Sequence, residues 1–433
     1  MSSTVRTERR AVVVPAISAP SSVACLRSLG GRGVHTIAVS EDEGTPSFYS
    51  AYCDETVVVP SPHEDLLAYK DALLELSTRP DVATIVPVRE EDVYVLAAHR
   101  EEFAPHVATP WPDLETLSRV QDRRRLFEVA AENGVAFPET RLLEEGAATD
   151  GGGRPDGGAA VAGVQQGIDW DREWIVKPRY SILTGAYIDG LDPARCLSSC
   201  STSYLSSGRP PDAAAITAEM HHVPLLQEYV PGDEYGFFAL YDEGEAVATF
   251  QHRQRRGWTY AGGPSAYRES VRIPALEEAG RTLLDALEWH GLAMVEFLRD
   301  EDGGFRLMEV NPRFWSSLPF TVRAGADFPA DYWRLARGEA VSQPDYEVGI
   351  GGHLLRGELL YLRSVLRDEF ELVERPSFPA ALREVAGSIL AAPRFDYLVA
   401  DDPRPFFRDL WNAYDLSRSS EPPAATEPPS ARQ

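Results

Sequence analysis

The sequence predicts a parallel, doubly wound α/β domain at the N-terminus, then an α+β region, then a helical C-terminal extension. In the first hundred residues, apolar runs at Ala11–Val14, Thr36–Val39, Thr56–Val59 and Thr84–Val88 alternate with helical patterns near Ser22–Leu29, Glu64–Leu76 and Glu90–His99. That is the rhythm of strands joined by crossover helices. Further along, Leu292–Leu298 and Phe305–Val310 flank the acidic, glycine-bearing stretch Asp300–Gly304, the pattern of two antiparallel strands and a tight turn. Helical patterns at Leu354–Leu366 and Phe378–Leu390 follow, and Asp401–Trp411 closes the ordered part.

Composition bounds the function. A chain of 433 residues with 43% hydrophobic and 10% aromatic content can bury two or three substantial cores, which excludes a disordered protein. A net charge of -25 would repel a polyanion, and the basic residues form no long stripe, so nucleic acid is excluded as a partner. Such acidity with only two lysines, Lys70 and Lys177, resembles the composition of halophilic proteins. No apolar run reaches membrane-spanning length, and Val12–Pro15 is too short for a signal peptide, so a cytoplasmic protein is expected. The four cysteines, Cys25, Cys53, Cys196 and Cys200, have no histidine partners at zinc spacing and read as free thiols. The turn after the first strand, Pro15–Val23, lacks a dinucleotide fingerprint, while the loops at these strand ends remain the expected substrate-facing edge.

The hairpin carries the chemistry. A turn centred between Asp302 and Gly303 sets Glu296 directly opposite Glu309, and strand alternation places Glu309, Asn311 and Arg313 on one face. Like charges directly across a ladder cost up to about 1 kcal/mol. A divalent cation removes that objection, and magnesium uses one or two carboxylates together with substrate phosphates. Asn311 adds a neutral oxygen, and Arg313 a fork for phosphate or carboxylate.

Glu296 with Glu309-Val310-Asn311-Pro312-Arg313 resembles the metal-binding end of the ATP-grasp superfamily, the fold of carbamoyl phosphate synthetase, biotin carboxylase and D-alanine–D-alanine ligase. Leu225–Tyr235 is similar to the family's hinge. The resemblance implies that Glu228 and the backbone of Val230 face the adenine, that Gln227 and Tyr229 beside them also bind the nucleotide, and that Glu234 accepts from the ribose hydroxyls. Arg123 occupies the family's first phosphate-binding position and Lys177, in Trp174–Pro178, the second. Retention of a lysine in a chain with forty arginines suggests that a compact ammonium is needed there. The family's glycine-rich lid is thin here, with one glycine in Arg179–Ala186, so Ser181 and Thr184 hydroxyls are expected to serve. The richer run Gly151–Gly158 follows no strand and reads as a flexible insertion. In His252–Ser265, cationic side chains stand together, and Arg253 and Arg256 are assigned, with Arg313, to the transferred phosphate and the acceptor carboxylate.

The organisation implied is an α/β domain at 10–111, a two-lobed α+β ATP-grasp unit at 112–340, a helical extension at 341–416, and a disordered tail at 417–433. The activity implied is ATP-dependent ligation of a carboxylate to an amine through an acyl phosphate, with ATP and Mg2+, or Mn2+, bound by Glu296, Glu309 and Asn311. Small carboxylates and amines are the expected partners, and a homodimer is admitted. Two alternatives stay open: a carbamoyl phosphate synthetase-like transfer, although no glutaminase domain is visible, and a nucleotide-binding sensor or assembly protein with little turnover.

Overall fold

The computed structural model describes residues 10–143 and 168–419 apart from 201, 206, 209 and 371, with side chains described to residue 413. The expected insertion at Gly151–Gly158 therefore lies outside the described residues.

The N-terminal unit contains strands β1 (Ala11–Pro15), β2 (His35–Ser40), β3 (Glu55–Val58) and β4 (Val82–Ile85). They pair in parallel in the order β3-β2-β1-β4. Helices α1 (Ser21–Gly30), α2 (Leu66–Ser77), α3 (Glu90–Ala98) and α4 (Arg100–Phe103) complete it. Consecutive residues of β1 feed opposite cores, Ala11 and Val13 into one, Val12 and Val14 into the other. Both faces of the sheet are thus covered, which is why its strands read as continuous apolar runs rather than alternating ones.

Helices α5 (Leu114–Gln121) and α6 (Arg123–Glu132) lead into a small antiparallel sheet. It is built of β5 (Thr140–Leu142), β6 (Trp174–Lys177), β9 (Ser203–Leu205) and β10 (Leu225–Glu228), in the order β5-β10-β6-β9, with the pair β7 (Ile182–Leu183) and β8 (Leu197–Ser198) beside it. Helix α7 (Ala213–Met220) closes a separate small core around Trp174, Val176 and Leu226. The chain then crosses at Tyr229–Gly232 into β11 (Asp233–Asp242), β12 (Glu245–Thr259) and β13 (Gly262–Ser270). After helix α8 (Pro274–Ala286) come β14 (Gly291–Arg299) and β15 (Phe305–Asn311).

These strands form a six-stranded antiparallel sheet, β15-β14-β11-β12-β13-β16, whose last member is β16 (Gly351–His353). One face packs Phe237 and Val295 against α8, where a Cβ on Gly280 would lie 2.2 Å from the Phe237 ring. The other packs Phe238, Leu240 and Phe250 with Phe314 and Trp315 against the N-terminal domain. Helices α9 (Leu318–Arg323) and α10 (Phe328–Ala336) follow β15, and α11 (Leu355–Arg367), α12 (Phe378–Ala391) and α13 (Arg404–Ser419) end the described chain.

Two boundaries differ from the sequence reading. The extension is not purely helical, because β16 completes the large sheet before α11 begins. Residues 417–419, expected in the tail, continue α13. Among the described residues no helix is long and apolar enough to cross a membrane.

The C-terminal segment returns to the N-terminal domain. Asp402, 1% exposed, accepts from Arg27 Nε (2.8 Å), Ser50 Oγ (2.7 Å) and the Ala51 amide (2.8 Å). Tyr397 donates to the Ser18 carbonyl at 2.7 Å, and Arg408 to that of Gly44 at 2.8 Å. Removing one partner of a buried, hydrogen-bonded ion pair costs about 3–5 kcal/mol, because the other charge stays buried. Asp402→Ala is therefore expected to destabilise the protein by about 3 kcal/mol or more in chemical denaturation. Limited proteolysis should then cut first within residues 396–419; unchanged stability and cleavage would show that this segment does not hold the N-terminal domain.

Candidate active site

Glu296 and Glu309 are direct cross-strand partners on β14 and β15, as the turn count predicts. The route to that register is not a plain hairpin. Arg299 pairs with Phe305, and the Asp300 amide bonds the Gly304 carbonyl at 2.9 Å around Gly303, whose φ is 84°. A β-bulge then shifts the ladder between Glu296 and Phe297, so that Met308 is the extra residue and Glu309 moves into place. Bulges re-aim side chains in this way beside functional sites. The Met308 carbonyl is turned toward the Lys177 ammonium, 3.5 Å away.

The carboxylate face is half-buried and looks across to the small sheet. Arg123, the first residue of α6, donates through Nη2 and Nε to Glu309 Oε2 at 2.7 and 3.2 Å, and through Nη1 to the Pro178 carbonyl at 2.9 Å. Lys177 Nζ lies 3.9 Å from the same Glu309 oxygen. Asn311 Nδ2 donates to Glu296 Oε1 at 3.1 Å, and Arg313 Nη2 donates to Asn311 Oδ1 at 2.9 Å. Burial and the facing Glu309 push Glu296 well above the usual carboxylate range. Glu309, although enclosed, is held below that range by Arg123 and Lys177. The pair thus carries one negative charge and one proton, and Lys177 is lowered by its own burial.

Glu234, on the same face of β11, is raised to about 7 by burial, against the opposing pull of Lys177 and a hydrogen bond from Gln254. The tip of the β12–β13 hairpin lies against it: a Cβ on Gly262 would sit 2.9 Å from Glu234 Oε1, and φ there is +117°. The positive φ is what requires glycine, since the Glu234 side chain could swing away.

The other expected residues lie on β10, on the crossing that follows it, and beside β7. Gln227 is fully buried and donates to Thr140 Oγ1 at 2.9 Å. Glu228 pairs with Arg172 and accepts from the Glu139 amide. Tyr229 and Val230 form the crossing between the two sheets, the Tyr229 amide bonding the Glu173 carbonyl at 3.0 Å. Ser181 turns toward the N-terminal domain. Its amide bonds the Gln121 carbonyl at 3.0 Å and its hydroxyl faces Glu90 at 3.5 Å. Arg179 locks this segment to the α6 cap through Asp122, at 2.9 and 2.6 Å. Thr184 is buried.

Arg253 and Arg256 are not brought to the carboxylate face. Arg253 is the cross-strand partner of Tyr235, one residue out of phase with Glu234 and Gln254, so alternation sends it to the reverse face. There it pairs with Asp233 at 2.6 Å and lines a polar pocket of about 460 Å³ with Arg255, Arg383 and Ser388. Bulges after Gln254 turn Arg256 into the seam with α11 and α12. It is 5% exposed and donates to Glu358 (2.7 Å), Glu384 (2.6 Å) and Ser388 Oγ (2.6 Å). Its charge is spent on holding the extension to the sheet.

The sequence reading missed Glu90. This first residue of α3 accepts from Arg313 Nε at 3.1 Å and from Gln121 Nε2 at 3.0 Å, and burial raises its carboxyl. Buried Asp92 fixes its position by accepting from the Val88 and Arg89 amides at 3.0 and 3.1 Å. The available signal was its place at the carboxyl end of β4, the edge where open α/β sheets bind ligands.

The donor set suits a divalent cation: two opposed carboxylates that repel each other when both are ionised, an amide oxygen, and no soft ligand among them. A carboxyl whose folded value is raised binds more protons in the native than in the unfolded state, so stability falls as pH climbs. Glu296 and Glu234 both have that sign. In nucleotide-free, metal-free protein, the thermal midpoint is expected to fall between the ordinary glutamate range, about 4.3, and neutrality. Glu296→Gln should fall less steeply, and parallel curves would contradict the shared proton.

Comparisons with known proteins bear on the fold and on part of the chain. Residues 221–350 match the family model described as ATP-grasp in the biosynthetic pathway with Ter operon. Among solved structures, the chain is similar to N5-carboxyaminoimidazole synthetase from Staphylococcus aureus complexed with ADP, at 13% identity, covering 78% of this chain and 80% of that one, TM-score 0.54. It is similar to the biotin carboxylase domain of Hydrogenobacter thermophilus 2-oxoglutarate carboxylase in complex with MgADP, ADP and bicarbonate, at 15% identity, covering 79% and 73%, TM-score 0.57. It is also similar to L-amino acid ligase from Bacillus licheniformis, at 13% identity, covering 76% and 74%, TM-score 0.50. No curated protein matches by sequence. The chain thus has the ATP-grasp fold, and the family match extends over residues 221–350.

Proposed function

We propose that the protein is an ATP-dependent ligase that joins a carboxylate to an amine through an acyl phosphate. The observation that carries this reading is the meeting of Glu296, Glu309 and Asn311 with Lys177 and Arg123 across the two sheets. ATP lies along Gln227, Glu228, Tyr229 and Val230 with its adenine, and Glu234 accepts from the ribose. The phosphates run against Lys177 and Arg123, with the Ser181 segment above them.

Glu296, Glu309 and Asn311 would hold Mg2+ or Mn2+. The ion would supply neutralisation of phosphate charge, which phosphoryl transfer needs more than it needs a protein nucleophile. Without nucleotide, Arg123 and Lys177 are the counter-charges of Glu309. With it, the two cations turn to phosphate and the carboxylate is freed. The substrate carboxylate attacks the γ-phosphorus and ADP leaves; the amine then attacks the acyl carbon and phosphate leaves. Arg313, between Asn311 and Glu90, is the cation placed for the acceptor carboxylate or the transferred phosphoryl group, and the roles read from sequence for Arg253 and Arg256 fall to it.

The names of the similar structures support both an amino acid and bicarbonate as the acid, so bicarbonate belongs among the candidates. A second reading, a nucleotide sensor with little turnover, is favoured by the lid segment, which Arg179 ties to Asp122. The composition further supports a cytoplasmic, salt-adapted protein, and a homodimer fits the Hydrogenobacter thermophilus structure, which is titled a dimer.

Incubation with ATP, Mg2+ and pooled carboxylates, bicarbonate and amines should give ADP release that depends on an amine. Glu309→Gln should lower it by about 100-fold or more, the usual size for a lost charge-stabilising group. Full turnover in that variant would refute the metal assignment, and nucleotide binding without turnover in the wild type would favour the sensor.

A further inference from the structure

Away from the cleft, three side chains from distant stretches meet where the N-terminal domain touches the segment between β7 and β8. His63 lies in the loop before α2, Glu91 in the first turn of α3, and Cys196 just before β8. One ligand atom from each lies within 4.8 Å of the others. The backbone fixes the meeting, since the Leu66 amide donates to the Ala194 carbonyl at 2.8 Å. Cys196 is 0% exposed, whereas the His63 side chain is 41% exposed. The cluster is closed on its sulfur side and open on its imidazole side.

We propose that Cys196, His63 and Glu91 form a zinc site that clips the N-terminal domain to the β7–β8 segment, with its fourth position facing solvent. Thiolate, imidazole and carboxylate together select zinc over magnesium, which prefers oxygen alone. With bonds of about 2.0–2.3 Å, a tetrahedral zinc ion separates its ligand atoms by roughly 3.5 Å. His63 Nε2 and Glu91 Oε1 already lie 3.5 Å apart. The remaining closure falls to rotation of the exposed imidazole. Arg89, which also faces the thiol, is taken up by Asp92 and Glu41 at 2.9 Å each.

Without a cation, burial and Glu91 push the Cys196 thiol up to about 12, so metal binding would displace its proton. The other cluster of possible ligands among the described residues, Asp242, Glu243 and His290, is less suited. Its carboxylates are exposed, and His290 Nδ1 already accepts from the Glu243 amide at 3.1 Å.

The test is titration of the chelator-stripped full chain with Co2+, followed by Zn2+. One Co2+ per chain is expected, with a sulfur-to-cobalt charge-transfer band that zinc abolishes and excess Mg2+ does not. Cys196→Ser should lose the band and Cys200→Ser keep it. His63→Ala, at an exposed position that does not endanger folding, should weaken binding by about 10-fold or more. No band in the wild type, or an unchanged band and affinity in His63→Ala, would overturn the site. So would a band that survives Cys196→Ser.

Discussion

Everything in the cleft depends on two glutamates facing each other across one ladder. Alone, Glu296 and Glu309 would repel; here Arg123 and Lys177, supplied by the other sheet, hold one of them charged while the other keeps a proton. The same attraction draws the two sheets together over the site. A protein that needed only a stable hairpin would place threonine or an aromatic there. In this structure the repulsion is offset by Arg123 and Lys177; under the proposed function a divalent cation would offset it further.

How much of this was legible in the sequence depends on how local each feature is. The parallel domain, the hairpin and its facing carboxylates follow from periodicity and turn chemistry within about twenty residues, and the structure has them. The register came out right although the bulge at Met308 was not foreseen. A hairpin centred on its real turn, half a residue earlier, would have set Glu296 against Met308 without it.

Where phase is lost, the reading fails. Arg253 and Arg256 looked like a cationic pocket because four cationic or potentially cationic residues stood close together, but a strand cannot aim neighbours the same way, and three register shifts of β12 against β13 redirect the rest. Counting from Glu234 would have excluded Arg253. Nothing local could have shown that Arg256 meets Glu358, or that His63 approaches Cys196, because those contacts join stretches more than a hundred residues apart. Glu90 stands between these cases: its place at a strand's end was visible, its contact with Arg313 was not.

The return of residues 396–412 to α1 and the turns around Gly44 and Ser50 bears on how the chain is made. Contacts between positions some 350 residues apart cannot form on the ribosome until nearly all the intervening chain has emerged. During synthesis the first domain therefore waits, one flank bare and Arg27 without its anion, for the last segment to arrive. Such distant closure is slow, since the entropy of the loop must be overcome before any contact repays it. The flank of the first domain that residues 396–412 cover is therefore among the last surfaces of this fold to be sealed.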